Sequence, residues 1–296
     1  MGTDAFSNRH PLVNFLFFLG AIGMGVVIQH PVYLAASVLT SVNYYLLLHG
    51  RKGVRFLLLL LPLCLILTVV NPLFNIYGQT VLFYVFGRPY TLQALYYGLA
   101  ISCVFYVMLV WFGCYNVVLT SDKFTSLFGN FIPALSLLLV MVLRMIPNLM
   151  RKATQLMGAR KSIGKGGSEN ASRREKVTEG MTVLSALTDW ALEGSVVTGD
   201  AMRSRGYGAA KRTSFMIYRM TRDDMILLIL ELLLVLTVVV SAATGGVTAT
   251  YTPQMEIAAL SGFHIAGFAA YCVYLMIPTV LHIKEAIAWH ISRSRI

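Results

Sequence analysis

The sequence predicts an all-α polytopic membrane protein, with about six transmembrane helices and a cytoplasmic insert of long amphipathic helices. Three observations predict it. First, 57% of the 296 residues are hydrophobic and only 12% are charged, whereas soluble domains carry about 25% charged residues. With a mean hydropathy of +0.69, such a chain is solvated largely by lipid. Second, six stretches reach or approach the roughly 20 apolar residues needed to cross ~30 Å of hydrocarbon. They are 12–28, 32–49, 54–70, 92–119, 225–242 and 257–283. Third, the basic residues fall by position: of 24 Lys and Arg, only Arg88 lies in a connector after the first, third or fifth stretch.

That charge distribution orients the chain. With six spans, both termini and every other basic segment share one side, which the positive-inside rule makes cytoplasmic. The net charge of +11 therefore reflects membrane flanks, and no nucleic acid partner is expected. Residues 1–10 lack a basic n-region and a small-residue cleavage site, so the first span is expected to be retained. The organisation is then 1–120 for spans one to four, 121–224 for the cytoplasmic domain, and 225–296 for spans five and six with the tail.

Individual elements follow from local chemistry. Gln29-His30-Pro31 leaves room only for a tight link between the first two spans. Pro62 in the third is tolerable because neighbouring helices can satisfy the freed carbonyl. The connector 73–90 is rich in aromatics, including Phe74, Tyr77, Phe83, Tyr84, Phe86 and Tyr90. Two readings are open there: an aromatic belt at the outer interface, or a short hairpin from the β-prone run 80–86 closed by Gly87-Arg88-Pro89.

The insert departs from a plain bundle. Residues 121–130 begin with Ser-Asp at a plausible N-cap and read as a short amphipathic helix. A second helix is expected over 133–160, apolar in its first half, basic in its second, and kinked near Pro147. The Gly-, Ser- and Lys-rich segment 161–172 reads as a mobile loop. A third helix is expected over 173–203, where Val177, Met181, Leu184, Thr188, Ala191 and Ser195 recur on one face. Gly206 and Gly208 supply its stop. These two helices either pack only on each other or, given their apolar excess, face a further partner.

Catalytic signatures are missing from the sequence. Gly164-Lys165-Gly166 lacks both the spacing and the Ser/Thr of a Walker loop, and no HExxH or GxSxG occurs. Cys64, Cys103, Cys114 and Cys272 lie singly in apolar runs, without zinc spacing, and are expected to pack. His264 is expected to be a buried, hydrogen-bonded residue. Glu231 is the one charge well inside an apolar run; it either has a transport role or pairs with a neighbouring arginine. No catalytic residue, metal or cofactor is expected.

Two short sequences end the two long cytoplasmic helices: Met157-Gly158-Ala159-Arg160-Lys161 and Ala201-Met202-Arg203-Ser204-Arg205-Gly206-Tyr207-Gly208. Each sets an arginine at a helix C-terminus, where the dipole favours a cation. An arginine there can project beyond the helix and grip a carboxylate bidentately. With Asn71-Pro72-Leu73-Phe74, Asn116, Ser121-Asp122-Lys123-Phe124 and Leu143-Arg144-Met145-Ile146-Pro147, the order of motifs resembles the T component of energy-coupling factor (ECF) ABC transporters, the EcfT/CbiQ family. The resemblance covers most of the chain. It departs at Lys161, where Gly or Ser is commoner, and in the Gly/Ser-rich loop 164–172.

The resemblance implies a non-catalytic coupling subunit for uptake of a vitamin or other micronutrient, in a bacterial or archaeal cell membrane. Its partners are two cytoplasmic ABC ATPase subunits and one substrate-binding membrane subunit, the S component. ATPase docking falls to Ala159, Arg160, Lys161, Ser204, Arg205 and Gly206, and the S-component interface to Thr188, Ala191, Ser195 and Gly199. Residues 121–224 become the coupling-helix domain. The rival readings are a self-contained carrier or channel, the permease subunit of an ordinary ABC importer, and a membrane-bound enzyme.

Overall fold

A computed structural model describes residues 5–75, 78, 80–85, 88–128, 133–164, 172–209, 218–251, 256–258 and 262–293. Among the described residues the chain is mostly helical: α1 (Pro11–Val27), α2 (Pro31–His49), α3 (Arg51–Phe74), α4 (Leu92–Val118), α5 (Ser121–Phe128), α6 (Pro133–Ser162), α7 (Arg173–Ser204), α8 (Arg222–Ala243) and α9 (Gly262–Arg293). Five of these, α2, α3, α4, α8 and α9, are long and apolar enough to cross a membrane, while α1 has 17 residues. At 1.5 Å per residue α1 spans about 26 Å, somewhat less than the hydrocarbon thickness. The chain is a multi-pass, mostly helical protein of membrane character.

The helices are accompanied by two short hairpins, the first of them one of the two readings left open for the aromatic connector: β1 (Val81–Val85) pairs antiparallel with β2 (Arg88–Thr91), and β3 (Ala249–Thr250) with β4 (Glu256–Ile257). The first hairpin carries part of the aromatic connector, with Phe83 stacked on Tyr90 at 4.6 Å. Tyr90 donates to the Val69 carbonyl at 3.2 Å, tying the hairpin to the end of α3; Tyr77, Phe86 and Gly87 lie outside the described residues. The last span does not begin at Ile257. That residue is in β4, and the Ala258 amide donates to Thr248 at 3.1 Å, so these backbone groups are satisfied by a strand partner and α9 starts at Gly262.

The described residues cluster into two compact units, one of residues 1–124 with 218–296 and one of residues 125–217. In the first unit, α4 packs on α1, α2 and α3, while α9 packs on α2 and α8. Aromatic rings fill its centre. Phe17 contacts Phe18, Trp111 and Tyr274 at 5.4, 5.6 and 5.0 Å, and Tyr44 lies 6.1 Å from Trp111. Such pairs each contribute about 0.5–1.5 kcal/mol beyond their buried area. By contrast, α3 is peripheral and exposes Leu58, Leu59, Leu61, Leu65 and Ile66, as a lipid-facing helix does.

Small residues let the helices approach. A Cβ at Gly98 of α4 would stand 2.7 Å from the Thr68 carbonyl oxygen of α3, and one at Gly113 would stand 2.7 Å from the Tyr45 ring. Close backbone approach replaces hydrophobic drive between helices in lipid. Gly98→Leu is therefore expected to separate α3 from α4, because a backbone carbonyl cannot rotate away as a side chain can. Overpacking of this kind costs about 1–3 kcal/mol. Reversible unfolding in detergent, compared with wild type, measures it, and an unchanged midpoint refutes the close contact.

In the second unit α6 packs on α7. α7 opens on a capping box: Ser172 Oγ accepts from the Glu175 amide at 3.3 Å, and the Glu175 carboxylate accepts from the Ser172 amide at 2.9 Å. It closes on a Schellman turn, in which the Tyr207 amide donates to Met202 at 3.0 Å around Gly206 at φ +77°. Only glycine adopts that φ without strain. Pro147 lies inside α6. Gly129 and Asn130, at the end of the first predicted insert helix, and residues 165–171 of the predicted loop lie outside the described residues.

Candidate functional site

The candidate site is built on α6 and α7. Leu149, Ala153, Leu156 and Arg160, at i, i+4, i+7 and i+11, form a half-buried stripe on α6. On α7 the corresponding covered stripe is Val183, Ala186, Leu187, Trp190, Ala191 and Gly194. Lys152 Nζ sits 5.3 Å from the centre of the Trp190 ring, a cation–π contact between the two helices.

Arg160 stands in the last turn of α6, where its charge complements the helix dipole. Its side chain is half-buried, and its Nε is buried without a hydrogen-bond partner among the described residues. A buried, unsatisfied donor costs about 1–3 kcal/mol, so this guanidinium gains from a partner. Ala159 and Lys161 beside it are exposed. Arg205 follows α7 directly; its amide donates to Ala201 at 3.2 Å and its side chain is exposed. Ser204 and Gly206 are exposed as well, and Ser204 Oγ is occupied by the Asp200 carbonyl at 2.9 Å. The two motifs look equivalent in sequence. Burial separates them: one arginine is partly sheathed, the other free to reach outward.

The small-residue stripe lies mostly off the covered face of α7 and shares Ala191 with it. At 100° per residue, Thr188 lies about 140° around the helix from Val183. Thr188, Ser195 and Gly199 are exposed, and Ala191 is half-buried at the stripe's edge. A Cβ on Gly199 would meet nothing within 4 Å. The hydroxyls of Thr188 and Ser195 bond to their own helix, at Leu184 (2.9 Å) and Leu192 (2.7 Å), which lowers the polarity of the stripe. Val177, Met181 and Leu184 continue it, 65%, 62% and 57% exposed. An apolar face of α7 is thus left uncovered within its unit.

Elsewhere, Glu231 is 2% exposed, and both carboxylate oxygens lack a hydrogen-bond partner among the described residues. The pairing of Glu231 with an arginine is not made among the described residues. His264 is half-buried, its Nε2 lying 3.5 Å from Thr244 Oγ1. Cys114 is buried and the other three cysteines are half-buried, all as free thiols. No group of three His, Cys, Asp or Glu among the described residues is placed to hold a metal.

Sequence reasoning missed the Lys152–Trp190 contact and the bonds that Lys123 Nζ donates to Ser7 Oγ and to the Ser7 and Val118 carbonyls. The first had a signal, a tryptophan on the covered face of α7 and a lysine beside the covered stripe of α6. The second had none, because the groups Lys123 holds are mostly backbone carbonyls.

No protein-family model matches this chain, and no curated protein matches it.

Proposed function

We propose that this protein is the transmembrane coupling subunit of an ECF-type ABC importer, carrying ATP-driven motion of two ATPase subunits to a substrate-binding membrane subunit. The observation that carries the reading is the pair of arginines ending α6 and α7 beside an apolar face of α7 that its own unit leaves uncovered. Arg160 and Arg205 each grip one ATPase; the Thr188–Ala191–Ser195–Gly199 stripe holds the membrane subunit. ATP is hydrolysed on the partner chains, so this chain is not an enzyme and uses no cofactor. In this reading α1 completes six spans, both termini and the second unit are cytoplasmic, and the protein lies in a bacterial or archaeal cell membrane. The charge asymmetry of the connectors supports that orientation.

Affinity purification of the chain from its native membrane tests the proposal. Two ABC ATPases and one small membrane protein copurify in stable stoichiometry if it holds; recovery of the chain alone overturns it. The unpartnered, buried Glu231 favours one second reading, a self-contained carrier with an ionisable group in its path. In that case the purified chain alone, in liposomes, catalyses substrate flux without ATP.

A further inference from the structure

The second unit is attached to the first through two connections, one leaving at Phe124 and one returning at Tyr218. The N-terminal residues 6–10, which precede every span, touch structure beside both. Phe6 is fully buried and pins this segment to the first unit, 5.1 Å from Phe17, 6.1 Å from Phe18 and 6.5 Å from Tyr44. The next residue meets the outgoing connection. Lys123 Nζ donates to the Ser7 carbonyl, to Ser7 Oγ at 3.1 Å and to the Val118 carbonyl at 2.9 Å. One ammonium thus joins the end of α4, the start of α5 and the N-terminal segment.

Two residues later the same segment meets the returning connection. Arg9 Nη1 lies 3.5 Å from Asp224 Oδ1 and 3.8 Å from Asp223 Oδ2. Asp224 is itself fixed at the head of α8: its Oδ2 accepts from Thr221 Oγ1 at 2.7 Å and from the Thr221 amide at 3.1 Å. His10 adds an edge-to-face contact with Tyr218 at 6.5 Å. Between Ser7 and Arg9 the chain is a tight turn, with the Arg9 amide donating to Phe6 at 3.1 Å, so displacement of one end is carried to the other.

We propose that residues 6–10 form a strap that couples the two attachment points of the second unit, with Lys123 and Arg9 as its positioning residues. The chemistry suits a coupler better than a plain brace. Lys123 is 8% exposed, and its ammonium is held by oxygens from two separate stretches of chain, Ser7 and Val118, which ties the N-terminal segment to the end of α4. Arg9 instead borders a cleft of about 380 Å³, lined by Asn8, Asp224, Lys284 and Glu285 among others. The second tie combines the Arg9–Asp224 ion pair with the His10–Tyr218 contact. Two ties on the same short turn move both attachment points together. The inference goes beyond the proposed function and stands whether or not ATPases bind.

Amide hydrogen exchange on the full chain in lipid nanodiscs tests it, with Lys123→Met and Arg9→Gln compared with wild type. A charged hydrogen-bond tie corresponds to about a tenfold change in local opening. Lys123→Met is expected to speed exchange about tenfold at residues 119–124 and, across the strap, at 221–225. Arg9→Gln is expected to speed exchange at 221–225 and also at 119–124, with the interiors of α4 and α9 unchanged. Acceleration confined to the substituted side, or none at either, overturns the proposal. If Lys123→Met disrupts the whole unit, Arg9→Gln decides alone, since the Arg9 side chain is 29% exposed and its loss is mild.

Discussion

Charge reversal at both arginines, Arg160→Glu with Arg205→Glu, is expected to abolish recovery of the ATPases with this chain and to stop uptake. Truncating one partner of a buried, hydrogen-bonded charge pair costs about 2–5 kcal/mol, and a like charge adds repulsion. Each arginine holds a different ATPase in the proposed assembly, so the single variants lose one site each and the double variant loses both. Arg→Lys is expected to weaken capture too, because an ammonium cannot reproduce the planar fork. The two positions should also differ. Arg205 is exposed, so its replacement leaves α7 intact. Arg160 belongs to the half-buried stripe of α6 and carries an unsatisfied Nε, so its replacement also disturbs packing against α7. Pull-down quantified against wild type, with helicity checked by circular dichroism, measures both. Full ATPase recovery by the double variant refutes the docking assignment.

Ala191→Trp is expected to release the substrate-binding subunit while ATPase recovery persists. A stripe of small residues permits close helix approach, and an indole in it forces the helices apart. The cost of such overpacking is about 1–3 kcal/mol, enough to lower recovery roughly tenfold. Because Ala191 is half-buried at the stripe's edge, Ser195→Trp, on the exposed part, is the cleaner companion. Loss of both partners from Ala191→Trp but of one from Ser195→Trp assigns the former to damage of the α6–α7 contact. Retention of both partners in both variants excludes the stripe as an interface.

Much of the fold was legible in the sequence. The link at Gln29-His30-Pro31 was readable because proline at the first helical position starts α2. The α7 stop was readable because Gly206 alone tolerates φ +77°. The start of the last span was misjudged. Ile257 is apolar and adjoins an apolar run, yet hydropathy does not record that it pairs with Ala249 in a strand and that the next amide, of Ala258, donates to the Thr248 carbonyl. The candidate site was half legible. The arginines and the small-residue stripe are local motifs at helical spacing, whereas which face of α7 meets α6 depends on side-chain bulk across two helices. Val183, Leu187 and Trp190 lie on the covered face, while Thr188, Ser195 and Gly199 stay exposed.

What the sequence alone determined is everything carried by covalent neighbours and by solvent preference. Apolar length defines the spans, Lys and Arg placement sets their expected sidedness, and proline, glycine and capping residues mark the helix ends. What only the tertiary structure decided is everything that depends on groups far apart in the chain. Lys123 reaches Ser7 across 116 positions, and the Tyr274 hydroxyl reaches the Phe17 carbonyl across 257. Glu231 is left without a hydrogen-bond partner among the described residues. The physical reason is that backbone carbonyls, the acceptors in most of these contacts, are identical at every position. Sequence can show that a lysine or tyrosine needs an acceptor, but only the packed chain selects which one lies within 3 Å.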